Sequence, residues 1–127
     1  MNRTIVLAVD AAHKQAGCNV AAAAAMARDL AAFAGATHVS PAEREALAAL
    51  LRLGLTDVRP RALKGRPFTY WDYRAGMFHR GMGMRIDLVL ASQPLARQVT
   101  DAYVDREARK GPAPSDHAPV VADLNLP

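Results

Sequence analysis

The sequence lacks the raw material of several protein classes. It has one cysteine, Cys18. No intramolecular disulfide can form, and a reducing cytoplasm is the expected setting. The same scarcity removes any cysteine-built zinc site, and the four histidines include no His-x-x-x-His pair. No apolar run approaches the ~18–20 residues that cross a bilayer, so no membrane partner is expected. Met1-Asn2-Arg3 leads straight into a strand-like run too short for a signal-peptide core. There is no internal repeat, and the only low-complexity piece is the alanine run at 21–25.

What is present suits a globular domain. The chain has 127 residues, of which 51% are hydrophobic and 22% charged, enough for one domain with its own core over 1–127. The net charge of +4 is uneven. Residues 1–58 carry five Lys/Arg and five Asp/Glu, whereas residues 59–127 carry eleven and seven, so the whole excess lies in the second part. A basic bias there suits an anionic partner such as nucleic acid, or simply a solvated surface.

The pattern alternates strands and helices. Thr4-Ile5-Val6-Leu7-Ala8-Val9 reads as a buried strand delivering Asp10 at its end. Residues 21–33 form a narrow helical stripe through Met26, Leu30 and Phe33. Ser40-Pro41-Ala42-Glu43 is a helix start, with Leu47, Leu50, Leu51 and Leu53 leading to a terminating Gly54. Leu55–Val58 reads as a short strand or an extended link, Phe68–Trp71 as a strand, and Arg85–Ser92 as the central strand. Pro94–Gln98 is a helical turn. Val99–Glu107 alternates as a half-exposed strand, and Val120–Leu124 is another strand. Residues 59–67 make a basic loop, and three glycines between Arg74 and Gly83 let the backbone approach a ligand.

Asp87 enters the apolar Arg85–Ser92 run, where a carboxylate is costly unless paired. His117, in the turn Ser115-Asp116-His117-Ala118-Pro119, is the candidate partner. A carboxylate–imidazole pair is common catalytic hardware. The two are expected within hydrogen-bond reach, with Asp116 alongside.

Phe68-Thr69-Tyr70-Trp71-Asp72-Tyr73-Arg74, Arg85-Ile86-Asp87-Leu88-Val89-Leu90-Ala91-Ser92 and Ser115-Asp116-His117-Ala118-Pro119-Val120, in that order and spacing, resemble the C-terminal half of the exodeoxyribonuclease III family. These are abasic-site endonucleases of the endonuclease/exonuclease/phosphatase superfamily. The likeness runs from about Phe33 to Leu124, with residues 1–32 divergent. It implies an α/β fold, part of a four-layer α/β sandwich whose mixed sheet is flanked by helices. It also implies Mg²⁺ (or Mn²⁺)-dependent hydrolysis of phosphodiesters in double-stranded DNA, at abasic sites and 3′ ends. The resemblance makes His117 the histidine on the scissile phosphate and Asp87 its partner. Asp116 becomes the acidic residue beside the metal, and Tyr70 and Met84 the walls of the pocket for a base-less sugar. Arg74, Arg80 and Arg85 are candidates for flanking phosphates, with a surface charge as the alternative for each.

The family's Gly-Asp-x-Asn motif is broken. Aligning strands places Asp10 on its water-activating aspartate and Ala12 on its asparagine; counting back without gaps from Gly35 places Asn19 on the asparagine and Gly17 on the aspartate. The family's N-terminal half, with further metal ligands and a catalytic tyrosine, has no counterpart. Three readings follow: a nuclease completed by a separate N-terminal half or as a homodimer, a catalytically dead DNA-binding remnant, and a degenerate gene product. Activity of the chain alone is expected to be weak or absent.

Overall fold

A computed structural model describes residues 2–7 and 41–127. The elements are β1 (Asn2–Leu7), α1 (Pro41–Arg52), β2 (Leu55–Asp57), β3 (Arg61–Ala62), β4 (Leu90–Ser92), α2 (Gln93–Ala96), β5 (Val99–Val104) and β6 (Val120–Asn125). Short 3₁₀ turns lie at Arg74–Gly76 and Arg106–Arg109. The helix expected at 21–33, Asp10, Asn19, Gly17, Cys18 and the cap Ser40 lie outside the described residues.

One four-stranded sheet runs β1-β6-β5-β3. β6 pairs antiparallel with β1 on one side and β5 on the other, and β3 adds parallel to β5. The apolar run Val120-Val121-Ala122 is buried on both faces, as an inner strand demands. β2 and β4 form a separate antiparallel ribbon. Val58 and Ala91 beside the ribbon pack with Ala102, Ala122 and Leu124 of the sheet in one core cluster. α1 starts with Pro41 in its first turn and stops at Gly54, whose φ of +92° is the left-handed conformation that ends a helix.

The expected central strand is a correction. Only Leu90–Ser92 of Arg85–Ser92 is paired, at the edge of a two-stranded ribbon. Phe68–Trp71 likewise forms no strand: Tyr70 alone bridges, to Met84 on one side and His117 on the other. The backbone groups are satisfied otherwise. The fully buried Thr69 accepts the amides of Ile86 (2.9 Å) and Asp87 (3.0 Å) on its hydroxyl oxygen. Its own amide donates to the Met84 carbonyl, and its carbonyl accepts the Ala118 amide. A side chain thus replaces a ladder over two residues. The expected strand Val99–Glu107 ends at Val104: the Asp105 amide still donates to the Pro119 carbonyl, but proline has no N–H to return the bond, and the chain enters the second 3₁₀ turn.

Candidate functional site

Three segments converge through Thr69-Tyr70-Trp71. Met84 lies on one flank and residues 116–118 on the other, with the Trp71 amide donating to the Asp116 carbonyl at 3.0 Å. This brings His117 to Asp87, thirty positions earlier: Nδ1 lies 2.8 Å from the carboxylate Oδ2. Their side chains are 19% and 7% exposed, so the histidine touches solvent while its partner is buried behind it. The Asp87 amide donates to Thr69 Oγ1, and the His117 amide to Ser115 Oγ at 3.1 Å, so both ends of the pair are anchored through their amides by hydroxyl side chains.

Tyr70 stands beside the pair, its ring centroid 5.2 Å from that of His117. Burial raises its phenol above the usual tyrosine range, helped by the negative charges of Asp72 and Asp116 and opposed by Arg74 and Arg109.

Arg109 holds the Asp116-His117 turn in place. It is a buried cation whose Nη1 donates to the carbonyls of Trp71 (3.0 Å) and Asp116 (3.2 Å). Its guanidinium lies over Phe78, at 4.6 Å from the ring centroid, and nears Trp71 and Tyr73. Burial lowers its pKa from the usual arginine value. The Tyr73 hydroxyl donates to the Pro114 carbonyl at 2.7 Å, tying the preceding Pro-rich loop to the same wall. In sequence Arg109 opens the basic, Pro-rich stretch Arg109-Lys110-Gly111-Pro112-Ala113-Pro114, and Thr69 is one residue of an expected strand. Neither carries a local signal, since each acts on segments distant in sequence.

Two expected site residues are reassigned. Arg85 is only 6% exposed, and its guanidinium forks onto Asp57 with contacts of 2.9 and 2.6 Å. A buried bidentate pair cannot offer that charge to a phosphate, so Arg85 joins the ribbon to the site as a structural ion pair. Met84 is 1% exposed and packs with Ile86, Tyr70 and Met77. At that burial it cannot serve as an open wall of a pocket. Arg74 does remain at the surface, its side chain 86% exposed, with Asp72 on its guanidinium. Those hydrogen bonds from Arg74 hold the Asp72 carboxyl below its usual range.

A divalent ion needs oxygen donors. Mg²⁺ usually takes one or two carboxylates and completes its shell with water and phosphate. Asp87 is engaged by His117, and Asp116 is the acid next to His117 in the chain. Among the described residues no three His, Cys, Asp or Glu side chains gather as a metal-binding group. The described donors do not make a metal site by themselves.

A buried carboxylate thus orients a partly exposed imidazole at the meeting of loops beside a mixed sheet, in an α/β protein. Residues 19–117 match the model of the endonuclease/exonuclease/phosphatase family, and the chain belongs to that family. Among similar proteins is an exodeoxyribonuclease of Bacillus subtilis (strain 168), 36% identical over 91 residues, covering 68% of this chain and 34% of that protein. Exodeoxyribonuclease III of Haemophilus influenzae is 40% identical over 57 residues, 45% of this chain and 21% of its own length. Among solved structures, the 3′ phosphatase NExo from Neisseria, bound to a product DNA hairpin, superposes with a TM-score of 0.71 at 39% identity; the match covers 81% of this chain and 42% of that one. An AP endonuclease from Archaeoglobus fulgidus gives 0.69 at 34% identity, covering 85% and 43%. The chain thus has the mixed α/β fold of exodeoxyribonuclease III-like proteins and spans less than half the length of these relatives.

Proposed function

We propose that this chain carries the histidine–aspartate part of a DNA repair phosphodiesterase that cleaves at abasic sites and trims 3′ ends. The observation that carries the reading is the 2.8 Å Asp87–His117 pair with the Tyr70 ring beside it. In this reading Asp87 accepts from Nδ1–H and fixes the imidazole, so Nε2 is the nitrogen that meets a phosphoryl oxygen. A charged imidazole there donates to the oxygen on which negative charge grows. Tyr70, with Met84 beneath it, bounds a slot that admits a sugar without its base and excludes a full nucleotide by shape. Asp116 is the acid this part of the chain offers to Mg²⁺ or Mn²⁺, and Asp10 is the candidate for orienting water. The remaining donors come from a separate N-terminal half or a second copy, so the chain alone is slow or inactive.

The second reading, a catalytically dead DNA-binding remnant, is favoured by the thin set of metal donors among the described residues. Incision of an abasic duplex separates the two. Slow Mg²⁺-dependent cleavage, raised by adding the N-terminal half of a relative and abolished by His117→Ala, supports the first. Duplex binding with no cleavage in either arrangement leaves the second.

A further inference from the structure

A second cleft, of about 300 Å³, opens between the basic loop at 64–66, the glycine loop at 80–82 and the 3₁₀ turn at Arg106. Its charged lining is Lys64, Arg66, Arg80 and Arg106, with no carboxylate among the residues that line it. Asp87, His117 and Tyr70 are not part of it. We propose that this cleft binds a phosphate group, and that its natural source is the DNA backbone outside the scissile site.

Two of the cations are set in place by buried rings. Arg106 lies 5.7 Å from the Trp71 centroid and 4.4 Å from that of Phe78, while its Nη2 donates to the Phe78 carbonyl at 3.0 Å. Arg66 lies 5.9 Å from the Phe68 centroid. Guanidinium groups laid on aromatic faces lose less freedom on meeting an oxyanion. The acid on the same turn, Glu107, is engaged by Lys110 at 2.6 Å. Its carboxyl is held below the usual range first by that Lys110 hydrogen bond, with smaller contributions from Lys110, Lys64 and Arg106 as charges, so it offsets only part of the positive field.

A second, independent observation is Trp71. It is 1% exposed and lines the cleft, and its indole Nε1–H, packed against Gly83, has no acceptor among the described residues. A buried donor without a partner is rare and costly, and such groups gather where a ligand is missing. Clefts of this size lie at the lower end of small-ligand sites, large enough for a phosphate and the groups on either side of it. The site stands on its own geometry and holds whether or not the chain cleaves DNA.

Trp71 is the only tryptophan, so its indole N–H gives a single, assigned NMR signal. The ¹⁵N-labelled chain is titrated at low salt with inorganic phosphate, with tripolyphosphate and with a short duplex lacking abasic sites. The expected result is a saturable shift of that signal. The combined variant K64Q/R66Q/R80Q should weaken the affinity about 10-fold or more, and lower the salt dependence of DNA binding by about one to two phosphate contacts. The equal-charge variant R52Q/R59Q/R97Q should change it far less. A shift with all three ligands identifies a phosphate site open to free phosphate; a shift with DNA alone identifies a backbone contact. His117→Ala should leave the shift intact. No shift with any ligand, equal losses in both combined variants, or loss of the shift in His117→Ala overturns the proposal.

Discussion

At the scale of single residues, Arg85 and Arg74 separate two uses of a guanidinium. Arg85 and Asp57 are buried together, with side chains 8% and 12% exposed. Removing one partner leaves a buried charge uncompensated, a cost of about 3–5 kcal/mol. Arg85→Gln should therefore lower the urea midpoint strongly, and the fraction that stays folded should keep its salt dependence of DNA binding. Arg74→Gln should do the reverse, leaving stability unchanged within a few tenths of a kcal/mol and lowering the salt slope by about one. Equal effects on stability would show that burial does not divide the two. Thr69 is a positioning residue of the same importance. Thr69→Val keeps the shape and strips the acceptor from two buried amides, for about 1–3 kcal/mol per orphaned group. Thr69→Ser should restore most of that loss. A valine variant as stable as the parent would mean those amides find another acceptor.

At the scale of elements, the site hangs on bridges in place of strands, so close packing must hold them. A Cβ on Gly83 would come within 2.7 Å of both the Tyr70 carbonyl and Trp71 Nε1. Gly83→Ala therefore pushes the Tyr70–Met84 bridge apart, at about 1–3 kcal/mol. Hydrogen exchange should speed up at the amides of Tyr70, Met84 and Ala118 and leave the β1–β6 ladder protected. The two-residue strand β3 has a different support, since Arg61 grips Asp101 on β5 with contacts of 2.9 and 2.7 Å. That hydrogen bond from Arg61 holds the Asp101 carboxyl below its usual range. A carboxyl lowered by folding stabilises the fold above its unfolded pKa, and the contribution disappears as pH falls through the folded value. The pair is solvent-exposed, so the effect is small. Melting temperatures measured from pH 6 down to pH 2 should fall, and Asp101→Asn should remove part of that slope. An unchanged slope would mean the pair does not stabilise β3. The elements themselves were legible where they are local. Pro41 and Gly54 bracket α1, and the apolar run from Val120 marks β6. The stretch 85–89 was not, because its apolar pattern is that of a strand while its pairing depends on Thr69.

At the scale of the whole molecule, the matched part is 42–43% of the solved relatives' chains, and metal donors among the described residues are few. General acid–base catalysis contributes about 10²–10⁴-fold and needs its groups within hydrogen-bond reach. With Asp87 and His117 in place and few metal donors among the described residues, incision by the chain alone should run at least about 10²-fold below that of the longer relatives. Asp87→Asn should reduce any residual rate further, through loss of imidazole orientation. Robust Mg²⁺-dependent turnover by the chain alone, abolished by His117→Ala, would show that the isolated chain keeps more of the machinery than its described residues reveal.

The sequence by itself determined what depends on neighbours along the chain or on an unavoidable cost. Helix α1 has its own start and stop signals, β6 its apolar run, and Asp87 in an apolar stretch demanded a partner that only a group such as His117 supplies. Tertiary structure alone decided the fate of charges that look alike in sequence. Arg85 and Asp57 are 28 positions apart with no local signal linking them, yet the fold buries them together. Arg109 reads as one more cation in a basic loop, and packing against Phe78, Trp71 and Tyr73 turns it inward to hold the Asp116 carbonyl. The physical reason is common to both. Desolvating a guanidinium is worthwhile only where acceptors and ring faces already stand around it, and those come from segments that the chain brings together only on folding.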